Sequence, residues 1–333
     1  MNVLIRTDIG SHHGMGHAVR MLALARELQR RGASVTFVTA TEALRNYVVP
    51  FRCDVGVGLQ AVSTPCQPGD ILIVDTKADD WANDASALWL SRDAGMRVVR
   101  IDHPYATPES CDLLIGPCAH WSHKTVQYLQ RGFGARFLYG FPYVLLSPQV
   151  TQLPPRPYAD RYSGAIVFVA GGTDPSGALQ QLYDLTAAYA TDHVCVFLIG
   201  THATMLNPKM PQPRAHTSVI ASFDRTWIRN ASLVVTMFGV TCYEAMWWET
   251  PHLVLCHPTN PYSGDAMLYT LQSNGCSRFL GKINSLTQAR VTSCLSTTDW
   301  GVPVQRPSVF DGLGVQRVAQ AICELAISST CTQ

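Results

Sequence analysis

The strongest constraint on this sequence is a repeated unit: a short apolar run, a polar or glycine-bearing loop, then a stretch with helical spacing. Val3-Leu4-Ile5 leads into a polar loop from Asp8 to Gly16. From His17 to Arg31, Val19, Leu22, Ala23, Arg26 and Leu28 recur at mixed three- and four-residue spacings, which predicts a helix that Gly32 ends. Val35-Thr36-Phe37-Val38 then starts a second strand. Ile71-Leu72-Ile73-Val74 closing on Asp75, Val98-Val99-Arg100-Ile101 closing on Asp102, and Leu113-Leu114-Ile115 repeat the pattern. Short apolar strands alternating with helices predict an α/β fold whose parallel sheet is covered on both faces.

The pattern breaks once, where Pro148, Pro154, Pro155 and Pro157 cluster, since such a stretch continues neither a helix nor a central strand. Beyond it come Ile166-Val167-Phe168-Val169 with Gly171-Gly172, then Val194 to Ile199 with Gly200, Leu233-Val234-Val235, and His252-Leu253-Val254-Leu255. Two Rossmann-like domains in tandem are expected: 1–150, a proline-rich linker at 151–161, and 162–333. The closing helix, about 315–326, is compatible with either half and is grouped with the second. A length of 333 residues suits two domains of about 150 each.

With 47% hydrophobic and 15% charged residues, the composition fits a folded, loop-rich protein. Its 25 basic and 24 acidic side chains leave a net charge of +1, which argues against a dedicated nucleic-acid binder. The opening residues turn polar at Thr7-Asp8, unlike a signal peptide, and no apolar run approaches the roughly 20 residues of a membrane span. A cytoplasmic protein without an integral membrane segment is expected. In that setting the 11 cysteines, which form no CxxC, read as reduced and mostly buried.

In parallel α/β sheets ligands gather beyond the carboxyl ends of strands, and three motifs fall there. Gly14-Met15-Gly16-His17-Ala18-Val19-Arg20 follows the opening strand. Its glycines allow a tight turn into a helix start, whose positive end favours a neutral imidazole at His17, available as a base. Gly171-Gly172-Thr173-Asp174-Pro175 offers backbone N–H groups and a hydroxyl to a phosphate. Ordinary turn chemistry accounts for it equally well. Phe238-Gly239-Val240-Thr241-Cys242-Tyr243-Glu244 opens another helix suited to a diphosphate, with Glu244 one turn in to accept the hydroxyls of a ribose.

Other groupings carry less. Cys111, Cys118, His120 and His123 are metal-like in type but match no zinc spacing. His12 and His13 are neighbours in a strained loop and point apart, which sets aside a metal site with His17. Trp247-Trp248 reads as buried between helix and sheet. No GxxxxGK[ST] or GxSxG occurs, which argues against P-loop NTPases and α/β-hydrolases.

Taken in order, these motifs resemble the GT-B superfamily of sugar-nucleotide enzymes. The nearest likeness is to the UDP-sugar hydrolases of the pseudaminic acid pathway and their spore-coat polysaccharide relatives. The glycosyltransferase that forms lipid II is a more distant one. The likeness rests on the motif around His17 and on Ile73-Val74-Asp75, Arg100-Ile101-Asp102, Tyr143-Val144-Leu145-Leu146, Gly171 to Pro175, and Gly239 to Glu244. It implies two Rossmann-like domains facing a central cleft, no metal, and no cofactor beyond the nucleotide sugar itself. It also implies a uridine diphosphate held by the second domain, with Glu244 on the ribose and Gly171, Gly172, Thr173, Gly239, Val240 and Thr241 near phosphate. Phe223 would lie by the base, and Gly14, Gly16 and Asn260 would complete the donor side. His17, Arg20, Asp8 and Lys77 form the expected catalytic set.

The sequence departs from the hydrolases at Lys77, where a tyrosine is usual, at Asn260-Pro261, where Asn-Gln is usual, and at His103, where an acidic residue is frequent. These positions belong to the sugar and acceptor side, so donor binding is expected to persist with an altered acceptor. The leading expectation is an inverting glycosyltransferase with His17 as general base. A hydrolase using water, or a catalytically inactive sugar-nucleotide binder, are the alternatives. The acceptor is an unspecified hydroxyl, and modified nucleic acid has no positive support in the sequence.

Overall fold

A computed structural model of the chain describes residues 1–10, 14–56, 67–76, 94–174, 176–186, 194–200, 218–256, 272, 277–297 and 305–327. They fall into two compact units, Met1–Pro148 with the residues from Val309 onward, and Gln149–Ser308.

The first unit is built on seven strands: β1 (Asn2–Thr7), β2 (Ser34–Thr39), β3 (Arg52–Val55), β4 (Ile71–Asp75), β5 (Arg97–Ile101), β6 (Leu113–Gly116) and β7 (Phe137–Tyr139). All neighbours pair in parallel, in the order β3-β2-β1-β4-β5-β6-β7. Among the described residues, α1 (Gly16–Arg30), α2 (Ala43–Tyr47) and α3 (His123–Phe133) accompany them. β4 is buried along its whole length, as a continuous apolar run in a parallel sheet requires. Ala18, Met21, Leu22, Ala25 and Leu28 form the buried stripe of α1 and pack with Ile5, Phe37 and Ile73 of the sheet. Each large side chain buried here stabilises the unit by about 1.5–3 kcal/mol. Strand order reverses at β1 and β4, which puts the loop after β1 and the last residue of β4 at the usual ligand-binding position of such sheets.

The second unit repeats the plan with six strands: β8 (Tyr162–Val169), β9 (Cys195–Ile199), β10 (Ser218–Ser222), β11 (Ala231–Met237), β12 (His252–Cys256) and β13 (Arg278–Lys282). Their order, β10-β9-β8-β11-β12-β13, reverses at β8 and β11. The accompanying helices are α4 (Ala178–Leu185), α5 (Arg225–Asn230), α6 (Val240–Trp247) and α7 (Gln288–Thr297). The core centres on Phe168 and Phe197, whose rings stack at 4.8 Å.

The closing helix α8 (Gly314–Ile327) corrects the expected domain span of 162–333. Its buried face, Val315, Val318, Ala319 and Ile322, joins the core of the first unit beside α1. Arg31, just past the end of α1, reaches the side chain of Gln320 and, at 3.2 Å, the carbonyl of Gln316. A Cβ at Gly314 would overlap the Val144 carbonyl, so only glycine lets the helix start this close to that backbone. Tertiary packing of one apolar stripe, rather than nearness in sequence, decides where the helix belongs. Among the described residues no helix is long and apolar enough to cross a membrane. The eight described cysteines are all free thiols, six of them buried.

Candidate active site

In the first unit the three-residue spacing of His17 and Arg20 puts both on one face of α1, towards the end of β4. There Asp75, fully buried, takes both. His17 Nδ1 lies 2.8 Å from Asp75 Oδ1, while Arg20 donates from Nε to Oδ2 at 2.7 Å and from Nη2 to Oδ1 at 2.5 Å. Arg20 Nη1 also donates to Asp102 Oδ2 at 3.0 Å. Asp102 stands just past β5 with φ of +61°, a left-handed conformation uncommon outside glycine.

Burial opposes ionisation of Asp75, but Arg20 and then His17 outweigh it and hold the carboxyl down to about 2. Burial likewise opposes the charge on Asp102, and Arg20 again holds its carboxyl below the usual range. An ionised Asp75 only accepts hydrogen bonds, so His17 directs an Nδ1 proton at it, and in the neutral ring the lone pair is then on Nε2. Arg20 Nη2 sits 3.2 Å from Nδ1 because both bind the same oxygen; two donors do not bond to each other. The result is an oriented imidazole, 19% exposed, backed by a buried carboxylate.

Asp8, expected in the catalytic set, is differently employed. Its Oδ1 accepts from Thr39 Oγ1 and from the Ala40 N–H, both at 2.8 Å, and its Oδ2 pairs with Arg6 Nη1 at 2.6 Å. It ties the end of β1 to the end of β2, and both of its oxygens are occupied in doing so. Gly14, at φ +74°, donates its N–H to the Gly10 carbonyl at 2.9 Å, two residues before α1 begins at Gly16. Lys77, Asn260, His12 and His13 lie outside the described residues. His103 is buried, and burial and Arg100 push its imidazole down to about 4.

In the second unit Gly171, Gly172 and Thr173 follow β8, and Gly200 after β9 packs so tightly on the Gly171 and Gly172 carbonyls that no Cβ would fit. Asp174 directs its carboxylate to the start of α4, accepting from the N–H groups of Ala178 at 2.8 Å and Leu179 at 3.0 Å. A negative charge from the protein itself thus already meets that helix start. The start of α6, at Gly239, Val240 and Thr241, has no side-chain cap.

Glu244, on α6, is buried. Its Oε1 accepts from Arg225 Nε at 2.9 Å, and its Oε2 is buried without a hydrogen-bond partner among the described residues. The Arg225 guanidinium also lies over the Phe223 ring, 5.4 Å from its centre, and the Phe223 N–H donates to the Ile199 carbonyl at 2.8 Å. Phe223, Arg225 and Glu244 are therefore one linked group. Trp248 is fully buried and donates from Nε1 to the Leu153 carbonyl at 3.2 Å, while Arg306 covers the Trp247 ring at 4.2 Å.

Sequence reasoning left Asp75, Asp102 and Arg225 outside the site. For the two aspartates the available signal was an acidic residue closing a buried, largely apolar strand, where the sheet presents side chains to ligands. For Arg225 no comparable signal existed.

No protein-family model matches the sequence, and no curated protein matches it. Among solved structures, the chain is similar to the calicheamicin glycosyltransferase CalG4 at 14% identity, covering 98% of this chain and 94% of that one with a TM-score of 0.58. It is similar to MurG of Acinetobacter baumannii at 12% identity, covering 97% and 100%, with a TM-score of 0.61. The S. aureus MnaA–UDP co-structure is similar at 10% identity over 97% of this chain and 96% of that one, with a TM-score of 0.62. The chain has the GT-B fold. The superfamily resemblance read from its motifs therefore holds at the level of fold.

Proposed function

We propose that this protein is a glycosyltransferase that uses a nucleoside-diphosphate sugar, with uridine as the base. The observation that carries the reading is the oriented pair of His17 and Asp75, with the imidazole Nε2 left as the base. The acceptor hydroxyl passes its proton to Nε2 as its oxygen attacks the anomeric carbon. The bond from that carbon to the phosphate oxygen breaks, and the nucleoside diphosphate leaves with the electron pair. Asp75 stabilises the imidazolium that forms. Displacement in one step inverts the anomeric centre.

On the donor side, the start of α6, which no side chain caps, suits the diphosphate and its growing negative charge. The unpartnered Oε2 of Glu244 suits a ribose hydroxyl, and the base would lie beside Phe223, which Arg225 links to Glu244. Uridine is supported by the likeness to S. aureus MnaA, whose structure was solved with UDP. In this reading the start of α6 takes precedence over the Gly171-Gly172-Thr173 turn for phosphate, because the Asp174 carboxylate would repel an anion at α4.

The test is to incubate the purified protein with a panel of nucleotide sugars, with and without hydroxyl acceptors, and to follow nucleotide and sugar by mass. Acceptor-dependent release of nucleoside diphosphate with a new glycoside of inverted configuration is expected. Free sugar released equally without acceptor would replace transfer by hydrolysis. Turnover unchanged in His17→Ala would remove His17 from the reaction.

A further inference from the structure

We propose that the first unit holds a zinc-class divalent cation on Asp102, Cys118 and His120. The carboxylate, thiol and imidazole ligand atoms of these three residues all lie within 4.8 Å of one another, the one such group among the described residues. β5 and β6 are parallel neighbours, so the loops that follow them leave the same edge of the sheet. Asp102 comes from the first loop, Cys118 and His120 from the second. Of the four metal-like residues in this stretch of sequence, these two converge. Cys111 is buried outside this group, and His123 starts α3, where its Nε2 lies 3.4 Å from Gln127.

The chemistry of the three atoms selects the metal. One thiolate, one imidazole and one carboxylate form a mixed set that suits zinc, and three protein ligands leave a fourth position for water. Bonds of about 2.0–2.3 Å require ligand atoms some 3.3–3.8 Å apart, so a side-chain adjustment of about 1 Å closes the site. Cys118 and His120 are both more than nine-tenths buried.

Charge points the same way. Asp75 and Asp102 share the single guanidinium of Arg20, which leaves these three groups with a net negative charge. Arg20 occupies Oδ2 of Asp102, and a carboxylate with one oxygen so held still has lone pairs for a cation. On binding, the Cys118 proton passes to solvent and the sulfur–metal bond takes its place. The cation would staple the β5 and β6 loops beside the Arg20 network.

The purified full chain, stripped with a chelator, is titrated with Co²⁺ and then with Zn²⁺ against a chromophoric chelator. One equivalent of Co²⁺ giving a thiolate charge-transfer band and the strong visible bands of four-coordinate cobalt, displaced by Zn²⁺, is expected. Cys118→Ser should abolish the charge-transfer band, and His120→Gln should weaken affinity by on the order of a hundredfold or more, with Cys53→Ser behaving as the parent. Should Cys118→Ser fail to fold, His120→Gln and Asp102→Asn give the same reading through affinity alone. No charge-transfer band in the parent, a band that survives Cys118→Ser, or affinity unchanged in His120→Gln and Asp102→Asn overturns the site. The readout needs no turnover, so it stands apart from the transferase reading.

Discussion

Oδ1 of Asp75 lies 2.8 Å from Nδ1 of His17, and the same oxygen receives Arg20 Nη2 at 2.5 Å. One buried atom thus orients the base and anchors the cation beside it.

Replacing Asp75 by Asn should therefore damage turnover more than donor binding. The amide can present N–H to the imidazole and favour the wrong tautomer, and it no longer stabilises an imidazolium. A fall in kcat of about 10²–10⁴-fold is expected, with KM for the donor nearly unchanged. Steady-state kinetics of Asp75→Asn beside His17→Ala check this; a parent-like kcat would dissociate the pair from the chemistry.

Arg20 should matter first to stability. Arg20→Ala leaves two carboxylates without their shared cation, and removing one partner of a buried pair costs about 3–5 kcal/mol. Arg20→Lys should recover part of this but not the forked contact to Asp75. Urea unfolding at neutral pH measures both. The Asp75 carboxyl is held down to about 2 from an ordinary 3.8, so its contribution is complete above pH 4 and is lost as pH falls through 2.

A second acid limb should come from His252. Its Nδ1–H donates to the Thr250 carbonyl at 2.8 Å, and its Nε2 accepts from Ser277 Oγ at 2.7 Å, an arrangement that needs a neutral ring. Burial pushes this imidazole down to about 4 from 6.5. The unfolded chain takes up the proton first, so stability of up to about 3 kcal/mol is present above pH 6.5 and is lost as pH falls towards 4. Tm measured across that window should fall less steeply in His252→Gln than in the parent.

Donor affinity should respond to Glu244 and Arg225 together. Glu244→Ala removes the acceptor proposed for the ribose, and Arg225→Ala frees the Glu244 carboxylate and the Phe223 ring that it holds. Each should weaken nucleoside diphosphate binding by about 1.5–3 kcal/mol, the worth of a hydrogen bond to a charged group. The double variant should lose less than the sum, because the side chains act as one unit. Calorimetric titration with UDP tests this, and affinities equal to the parent would move the ribose elsewhere.

Gly314→Ala should loosen the closing helix from the first unit. The added Cβ meets the backbone carbonyl of Val144, which cannot turn aside as a flexible side chain would. Overpacking of this kind costs about 1–3 kcal/mol. Hydrogen exchange in α8 should rise relative to β4.

The two Rossmann-like units, their strand ends, and the helix starts that carry His17 and Glu244 are legible in the amino-acid sequence. Those features depend on local periodicity and on residues adjacent in the chain, so a single pass along it reads them. Convergence across the sheet followed other rules. Strand order put Asp75 against α1 and brought Asp102 beside Cys118 and His120, and no local pattern encodes which strands become neighbours. The partners of Asp8, Thr39 and Ala40, likewise come from the end of β2 and not from its own stretch of sequence. The closing helix shows the same division: its apolar stripe was legible, but only packing against α1 decided which core would bury it.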